Sequence, residues 1–544
     1  MAMKRSMVVF LLAALTAGLC ACGKTGESQE TKEQEEISVS LSESTSESVT
    51  EEEALSFADW NALFSSMSKT KCYKGINDTN PIMTQRFGAD PYAMVYDGRV
   101  YFYMTADAFE YDAKGEIKEN SYSQIRSINV VSTDDMVNFT DHGSILVAGK
   151  NGAAKWAGNS WAPAAAWKNI DGKDKFFLYF ANSGGGIGVL TADSPVGPWT
   201  DPIGKELISR NTPNCANVLW LFDPAVLVDD DGRAYIYFGG GVPEGKVPAP
   251  GTGRVMELGE DMISVKGEAV TIDIPYLFED SGIHKFGNKY YYTYCTNWQV
   301  DQAGTDKFGF HNAEIAMLES DSPMGPFVYK ETILENPGKY IGMYSNNHHC
   351  VFNFQGRWYM TYHSKIVEKN MGMEKGYRST NINEFTIAED GTIGKISQSL
   401  SGREQLKNVD AYAENSAVMI AVQGGLDTVE APELGAGAML LSGIDSGDYM
   451  KVQGVDFGEE GPEFLEVAAK INTKSDGLCA IQIRVDTMFG DVIGVLPISD
   501  DNGETTAEGF TRCRAALEEE VTGVHDLFFV FAGDGYELKS WRFE

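Results

Sequence analysis

Short apolar runs alternate with polar turns along most of the chain, and one such pattern returns five times. In Leu221 to Gly240 (LFDPAVLVDDDGRAYIYFGG), an apolar stretch from Pro224 to Val228 enters a polar turn, Asp229 to Gly232. A second apolar stretch, Ala234 to Gly239, follows, so the segment predicts a β-hairpin. The same order of strand, turn and strand is found in GADPYAMVYDGRVYFYMT from Gly88, WAPAAAWKNIDGKDKFFLYFA from Trp161, FEDSGIHKFGNKYYYTYC from Phe278 and HHCVFNFQGRWYMTYH from His348. Three copies share one spacing: Asp90, Gly98, Tyr101; Glu279, Gly287, Tyr290; His348, Gly356, Tyr359. Asp223, Gly232 and Tyr235 carry one extra turn residue.

Repeated hairpins separated by further strands predict an all-β fold, a five-bladed β-propeller over residues 76–400. The segments between them read as outer strands and turns, and two of these, TADSPVGPWTD from Thr191 and ESDSPMGPFVYK from Glu319, repeat one another. In a propeller the inner strand of each blade faces a common axis. The first position of each copy, Asp90, Ala162, Asp223, Glu279 and His348, is therefore expected to meet in one small volume. Three carboxylates and a histidine are poor packing residues unless paired or used, so this set is read as an active site. Asp97 and Asp229 to Asp231 are read as ordinary turn residues.

The ends of the chain change the picture. Lys4 and Arg5 precede an apolar run from Met7 to Leu19, too short for a confident membrane span and ending in small residues. Leu19-Cys20-Ala21-Cys22 resembles a bacterial lipobox. The resemblance implies that residues 1–22 are a lipoprotein signal, that cleavage precedes Cys22, and that Cys22 carries the lipid anchoring the protein at the bacterial surface. Residues 23–54 are rich in Ser, Thr, Glu and Gln, with little to bury, and predict a disordered acidic tether. Leu55 to Met67 suggests a short helix. Beyond residue 409 short strands alternate with turns to Glu544, which predicts a β-sandwich, a jelly roll, over 409–544. With 43% hydrophobic residues the 544-residue chain can build large cores, and a net charge of −34 disfavours nucleic acid as a partner. The cysteines outside the signal show no zinc spacing. Pairing of Cys479 with Cys513 is left open.

The set FGADP, WAP, LFDPAVLVDDDG, ELGEDM, LFEDSG, NNHH and GYRST resembles glycoside hydrolase family 43 over essentially all of residues 76–400, and within it the arabinoxylan arabinofuranohydrolases. SGDYMKVQGVDFG and GVHDLFFVFAG are similar to family 6 carbohydrate-binding modules. The tail departs from that pattern in two places. Its loop from Asp500 to Phe510 lacks the usual tryptophan, and Ser540 stands where the modules place an aspartate.

Cleaving a glycosidic bond with inversion takes one carboxylic acid to protonate the leaving oxygen and one carboxylate to activate water on the opposite face. Glu279 follows Tyr276-Leu277-Phe278, and apolar surroundings raise a carboxyl pKa, so Glu279 is assigned as the general acid. The residues alone leave Asp90 and Asp223 interchangeable. The resemblance makes Asp90 the general base and Asp223 the carboxylate that tunes and orients the acid. It also places a histidine near an axial calcium completed by waters; adjacent His348 and His349 point to opposite sides of a strand, and the spacing selects His348. Trp161 and Trp298 are candidate sugar-stacking residues, and Arg378 matches a family arginine that reaches the terminal sugar. The expected activity is release of terminal α-L-arabinofuranosyl residues from arabinoxylan or arabinan. A β-xylosidase on the same scaffold and a non-catalytic glycan-binding lipoprotein stay open.

Overall fold

A computed structural model describes residues 55–401, 403–472 and 478–544. The signal segment with Cys22 and the whole of the tether lie outside the described residues. Among the described residues no helix is long and apolar enough to cross a membrane. The expected early helix spans Phe57–Ser66, where the Ser56 hydroxyl accepts from the Asp59 amide and the Asp59 carboxylate accepts from Ser56 in return.

The described residues are all-β in character, and residues 89–385 build five antiparallel sheets in chain order. The first contains β1 (Ala89–Tyr96), β2 (Arg99–Thr105), β3 (Ser127–Thr133) and β4 (Phe139–Leu146). The second holds β5 (Trp161–Ile170), β6 (Lys173–Ala181) and β7 (Ile187–Ala192), and the third β8 (Ala225–Val228), β9 (Ala234–Phe238), β10 (Arg254–Leu258) and β11 (Val265–Thr271). The fourth comprises β12 (Leu277–Phe286), β13 (Lys289–Thr296), β14 (Ile315–Ser320) and β15 (Val328–Leu334). The fifth is β16 (His349–Phe354), β17 (Arg357–Ser364) and β18 (Ser379–Phe385). The first strands touch in a closed cycle, β1 to β5, β5 to β8, β8 to β12, β12 to β16 and β16 back to β1.

Buried tyrosines tie neighbouring sheets together. Tyr103, Tyr179 and Tyr237 occupy one position in their hairpins, opposite Tyr92, Ala164 and Ala225. Each hydroxyl donates to a carbonyl in an outer turn of the following sheet: Tyr103 to Pro195 at 2.6 Å, Tyr179 to Met262 at 2.7 Å, Tyr237 to Pro323 at 2.7 Å. Pro195 and Pro323 are the prolines of the two DSP repeats. That repeat is therefore the acceptor half of a recurring joint, and Asp261-Met262 serves the same end with a different sequence.

The spacing read from the sequence misplaces one residue. In β1, β5 and β12 an extra residue bulges out at the same point: Ala89 faces Thr105 and Tyr92 faces Tyr103; Trp161 faces Ala181 and Ala164 faces Tyr179; Glu279 faces Cys295 and Gly282 faces Thr293. The first bulged residue is left-handed in each, Asp90 (φ 47°), Ala162 (35°) and Asp280 (70°), as is Asp223 (50°) before β8. Asp280, not Glu279, is thus the counterpart of Asp90 and Asp223. Glu279 stands one residue earlier, where the other sheets place Ala89, Trp161 and Phe222. The cause is the turn. Gly98 and Gly356 are second in their two-residue turns, whereas Gly287 is first in its own, so counting back from the glycine slips by one.

Residues 409–544 form two further sheets around their own core, which includes Leu465, Val467, Ile481, Ile483, Leu527, Phe529 and Trp541. They join the first sheet directly. Met419 and Ile420 pair with Thr140 and Phe139 of β4, and buried Asp141 accepts from Arg86, from Gln85 at 3.1 Å and from the Thr428 hydroxyl at 2.8 Å. Cys479 and Cys513 are both free thiols, donating to the carbonyls of Asp534 and Ser499, so the pairing left open is not formed.

Candidate active site

A cavity of about 580 Å³ opens where the first strands meet, and Asp90, Asp223, Glu279, His348, Arg378, Trp161 and Trp298 all line it. Every side chain singled out from the described part of the sequence for catalysis, substrate contact or metal binding therefore reaches one hollow. Tyr122, Trp220, Phe222, Phe278 and Asn346 line it too and were not foreseen. Trp220 packs edge-on against Phe222 and Phe278, the residues just before Asp223 and Glu279. An apolar wall thus stands beside two of the three carboxylates.

Asp90 and Asp223 reach the cavity from left-handed strand entries, a conformation aspartate tolerates better than most residues. Asp90 is held from three sides. Its amide donates to His363 Nδ1 at 3.0 Å, its Oδ1 accepts from Arg378 Nη1 at 2.8 Å, and His348 Nδ1 lies 3.6 Å from the same oxygen. His363 Nε2 donates to the Asn346 carbonyl at 2.7 Å, which fixes its tautomer with Nδ1 as acceptor. Asp223 Oδ2 accepts from the Asp280 amide at 2.9 Å. Glu279 Oε1 is buried without a hydrogen-bond partner.

These surroundings pull the carboxyls apart. Burial alone would raise Asp90, but the charge of Arg378, the largest opposing influence, outweighs it and holds the group well below the usual carboxylate range. Burial, reinforced by the charges of Asp90 and Asp280, pushes Glu279 up to about 8. Asp223 is raised as well, by burial first and then by Glu279 and Asp90. At neutral pH the cavity therefore holds an ionised Asp90 opposite a Glu279–Asp223 pair that retains a proton.

Asp280 escaped notice because it follows the glutamate that the spacing selected. Its Oδ1 lies 3.2 Å from His348 Nε2, and its Oδ2 lies 2.5 Å from His349 Nδ1. His349 Nε2 meets the Thr293 hydroxyl at 2.7 Å. Of the adjacent histidines, His348 lines the cavity and His349 does not. Both ring nitrogens of His348 face carboxylates, since Nδ1 is also 3.9 Å from Asp223. Among the described residues no group of three or more His, Cys, Asp or Glu side chains is arranged to hold a metal ion. These residues do not form a protein-built calcium cage.

The substrate candidates are firmly held. Trp161 Nε1 donates to the Tyr122 carbonyl at 3.0 Å, and the Arg378 guanidinium lies over the Tyr122 ring at 4.8 Å. In the sandwich, Ser540 donates to Glu414 at 2.8 Å, and the ammonium of Lys539 lies 5.4 Å from the ring centre of buried Phe510. Ser540 is thus bonded within the chain.

The profile of Glycosyl hydrolases family 43 matches residues 78–393, and that of Carbohydrate binding module (family 6) matches residues 416–544. An arabinoxylan arabinofuranohydrolase of Paenibacillus polymyxa is 47% identical over 485 residues, 86% of this chain and 74% of that protein. One from Bacillus subtilis (strain 168) is 45% identical, covering 88% and 94%. The crystal structure of a family 43 arabinoxylan arabinofuranohydrolase from Bacillus subtilis, in complex with cellotetraose, superposes with a TM-score of 0.81 at 44% identity, covering 87% of this chain and 99% of that one. The chain belongs to glycosyl hydrolase family 43 and is a glycosidase.

Proposed function

We propose that the protein releases terminal α-L-arabinofuranosyl residues from arabinoxylan or a related hemicellulose, with inversion. The observation that carries this reading is the opposed ionisation of carboxyls brought from different sheets into one cavity. Glu279, protonated at neutral pH, donates its proton to the glycosidic oxygen as the bond to the anomeric carbon breaks and the electron pair leaves with that oxygen. Asp90, ionised, takes a proton from a water whose oxygen attacks the same carbon from the opposite face. Asp223 orients Glu279 and raises its pKa. Trp161 and Trp298 offer ring faces to the sugar. The two similar arabinoxylan arabinofuranohydrolases support the substrate, and the closed cycle of first strands supports reading the five sheets as the blades of a propeller, with the tail as a sandwich. Sugar analysis on arabinoxylan tests the reading: arabinose from the wild type and none from Glu279→Gln. Xylose as the first product would transfer the assignment to a β-xylosidase.

Two sequence expectations are carried forward as proposals. Cleavage before Cys22 and lipidation of that residue would hold the enzyme at the cell surface on its acidic tether; mass spectrometry of the N-terminal peptide should find a diacylglyceryl group there. An axial calcium would be held mainly by water, with His348 its sole protein nitrogen. A chelator should strip so weakly held an ion, and turnover unchanged by chelation would remove calcium from the reaction.

A further inference from the structure

Arg378 lines the cavity, yet its Nε, Nη1 and Nη2 already bond to carboxylates, and most of that bonding goes to Asp107. Asp107 is buried in the segment between β2 and β3. Its Oδ2 accepts from both the amide and Nε of Arg378 at 3.0 Å, and its Oδ1 accepts from Nη2 at 2.9 Å. The carboxylate folds the arginine back against its own backbone, leaving Nη1 to reach Asp90 at 2.8 Å. The segments carrying the pair are clasped as well. The Asn120 amide donates to the Lys375 carbonyl at 2.7 Å, and the Tyr377 hydroxyl donates to the Lys118 carbonyl at 3.0 Å. Glu368 accepts from the Tyr377 amide at 2.8 Å.

We propose that Asp107 is a positioning residue for water activation: it fixes Arg378 so that Nη1 holds Asp90 Oδ1 at the angle needed to take the proton of the attacking water. This rests on the reading of Asp90 as general base. A two-point carboxylate–guanidinium pair sets direction as well as distance, which a lone arginine on a flexible stem does not. Asp107 itself does not line the cavity.

The test uses the full chain and 2,4-dinitrophenyl α-L-arabinofuranoside, whose leaving group needs no proton. Asp107→Ala should lower turnover about 100-fold, the scale of a misplacement near 1 Å. Arg378→Met should lose as much, and the double variant no more than Arg378→Met alone. Azide distinguishes misplacement from damage. Its terminal nitrogen attacks the anomeric carbon, the electron pair of the breaking bond leaves on the dinitrophenolate, and arabinosyl azide forms with no proton to remove. Azide should therefore restore turnover in Asp107→Ala and in Asp90→Gly, and leave the wild type unchanged. A misfolded fraction would not be restored. Asp107→Asn, with its thermal midpoint measured, serves if the alanine variant does not fold. Undiminished turnover in both Asp107 variants, or a loss that azide does not restore, overturns the proposal. Failure of azide to restore Asp90→Gly overturns the reading of Asp90, and the Asp107 proposal with it.

Discussion

Glu279 and Asp90 carry opposite protons for reasons that can be named atom by atom. Glu279 has a buried oxygen with no donor, apolar rings beside it and negative charges nearby; Asp90 is as buried but has the Arg378 guanidinium against it. Catalysis needs Glu279 protonated, so kcat/KM should fall as pH rises through about 8 and stay flat on the mildly acid side, where Asp90 is still ionised. A stability consequence follows with a definite sign. The unfolded glutamate ionises near 4.5 and the folded one near 8, so the folded state binds the extra proton. Glu279 therefore costs no stability below pH 4.5 and costs the most above pH 8. Glu279→Gln, which cannot ionise, should gain thermal stability over the wild type as pH rises across that window, by an amount on the order of a few kcal/mol at most. Midpoints measured at pH 4 and pH 9 check it: equal gains at both would remove the cause given for the shift.

At the scale of strands and turns, the hairpins were legible, and the phase of all but one, β12 with β13, was too. Apolar runs bounded by Asp-Gly or Gln-Gly turns announced the strands, and Asp-Pro pairs marked two of the left-handed entries. Asp280 was missed because the glycine of its turn stands first instead of second, so a count back from that glycine ends one residue early. Tyr122 and Asn346 were missed for another reason. They lie in segments between strands, and only the three-dimensional path of those segments brings them to the cavity. The same repeats yield a test of sheet packing. Tyr237→Phe removes one buried hydroxyl from its bond to the Pro323 carbonyl and should cost about 1 kcal/mol, read from denaturant unfolding, while leaving kcat/KM unchanged. A wild-type midpoint would mean that this joint adds nothing to stability.

At the scale of the whole chain, residues 409–544 are fastened to the sheets that carry the cavity. Met419 and Ile420 extend the first sheet, and Asp141 gathers Arg86, Gln85 and the Thr428 hydroxyl at the seam. A chain ending at residue 400 would expose the edge of β4 and deprive that buried carboxylate of one of its donors. It should unfold at a lower temperature than the full chain, and Thr428→Val should reproduce a small part of that loss, about 1 kcal/mol. A truncated chain with the full midpoint would show the tail to be an independent appendage. The sequence announced the sandwich through its alternating strands, but not this attachment, because the contacts join residues some 300 positions apart.

The central claim is that Glu279 and Asp90 work on opposite faces of one sugar. Proton NMR of the first sugar released from arabinoxylan, read before mutarotation, tests it most directly. Inversion yields β-arabinofuranose from the wild type and no sugar from Glu279→Gln; α-arabinofuranose as the first product, or undiminished release by the variant, would contradict it.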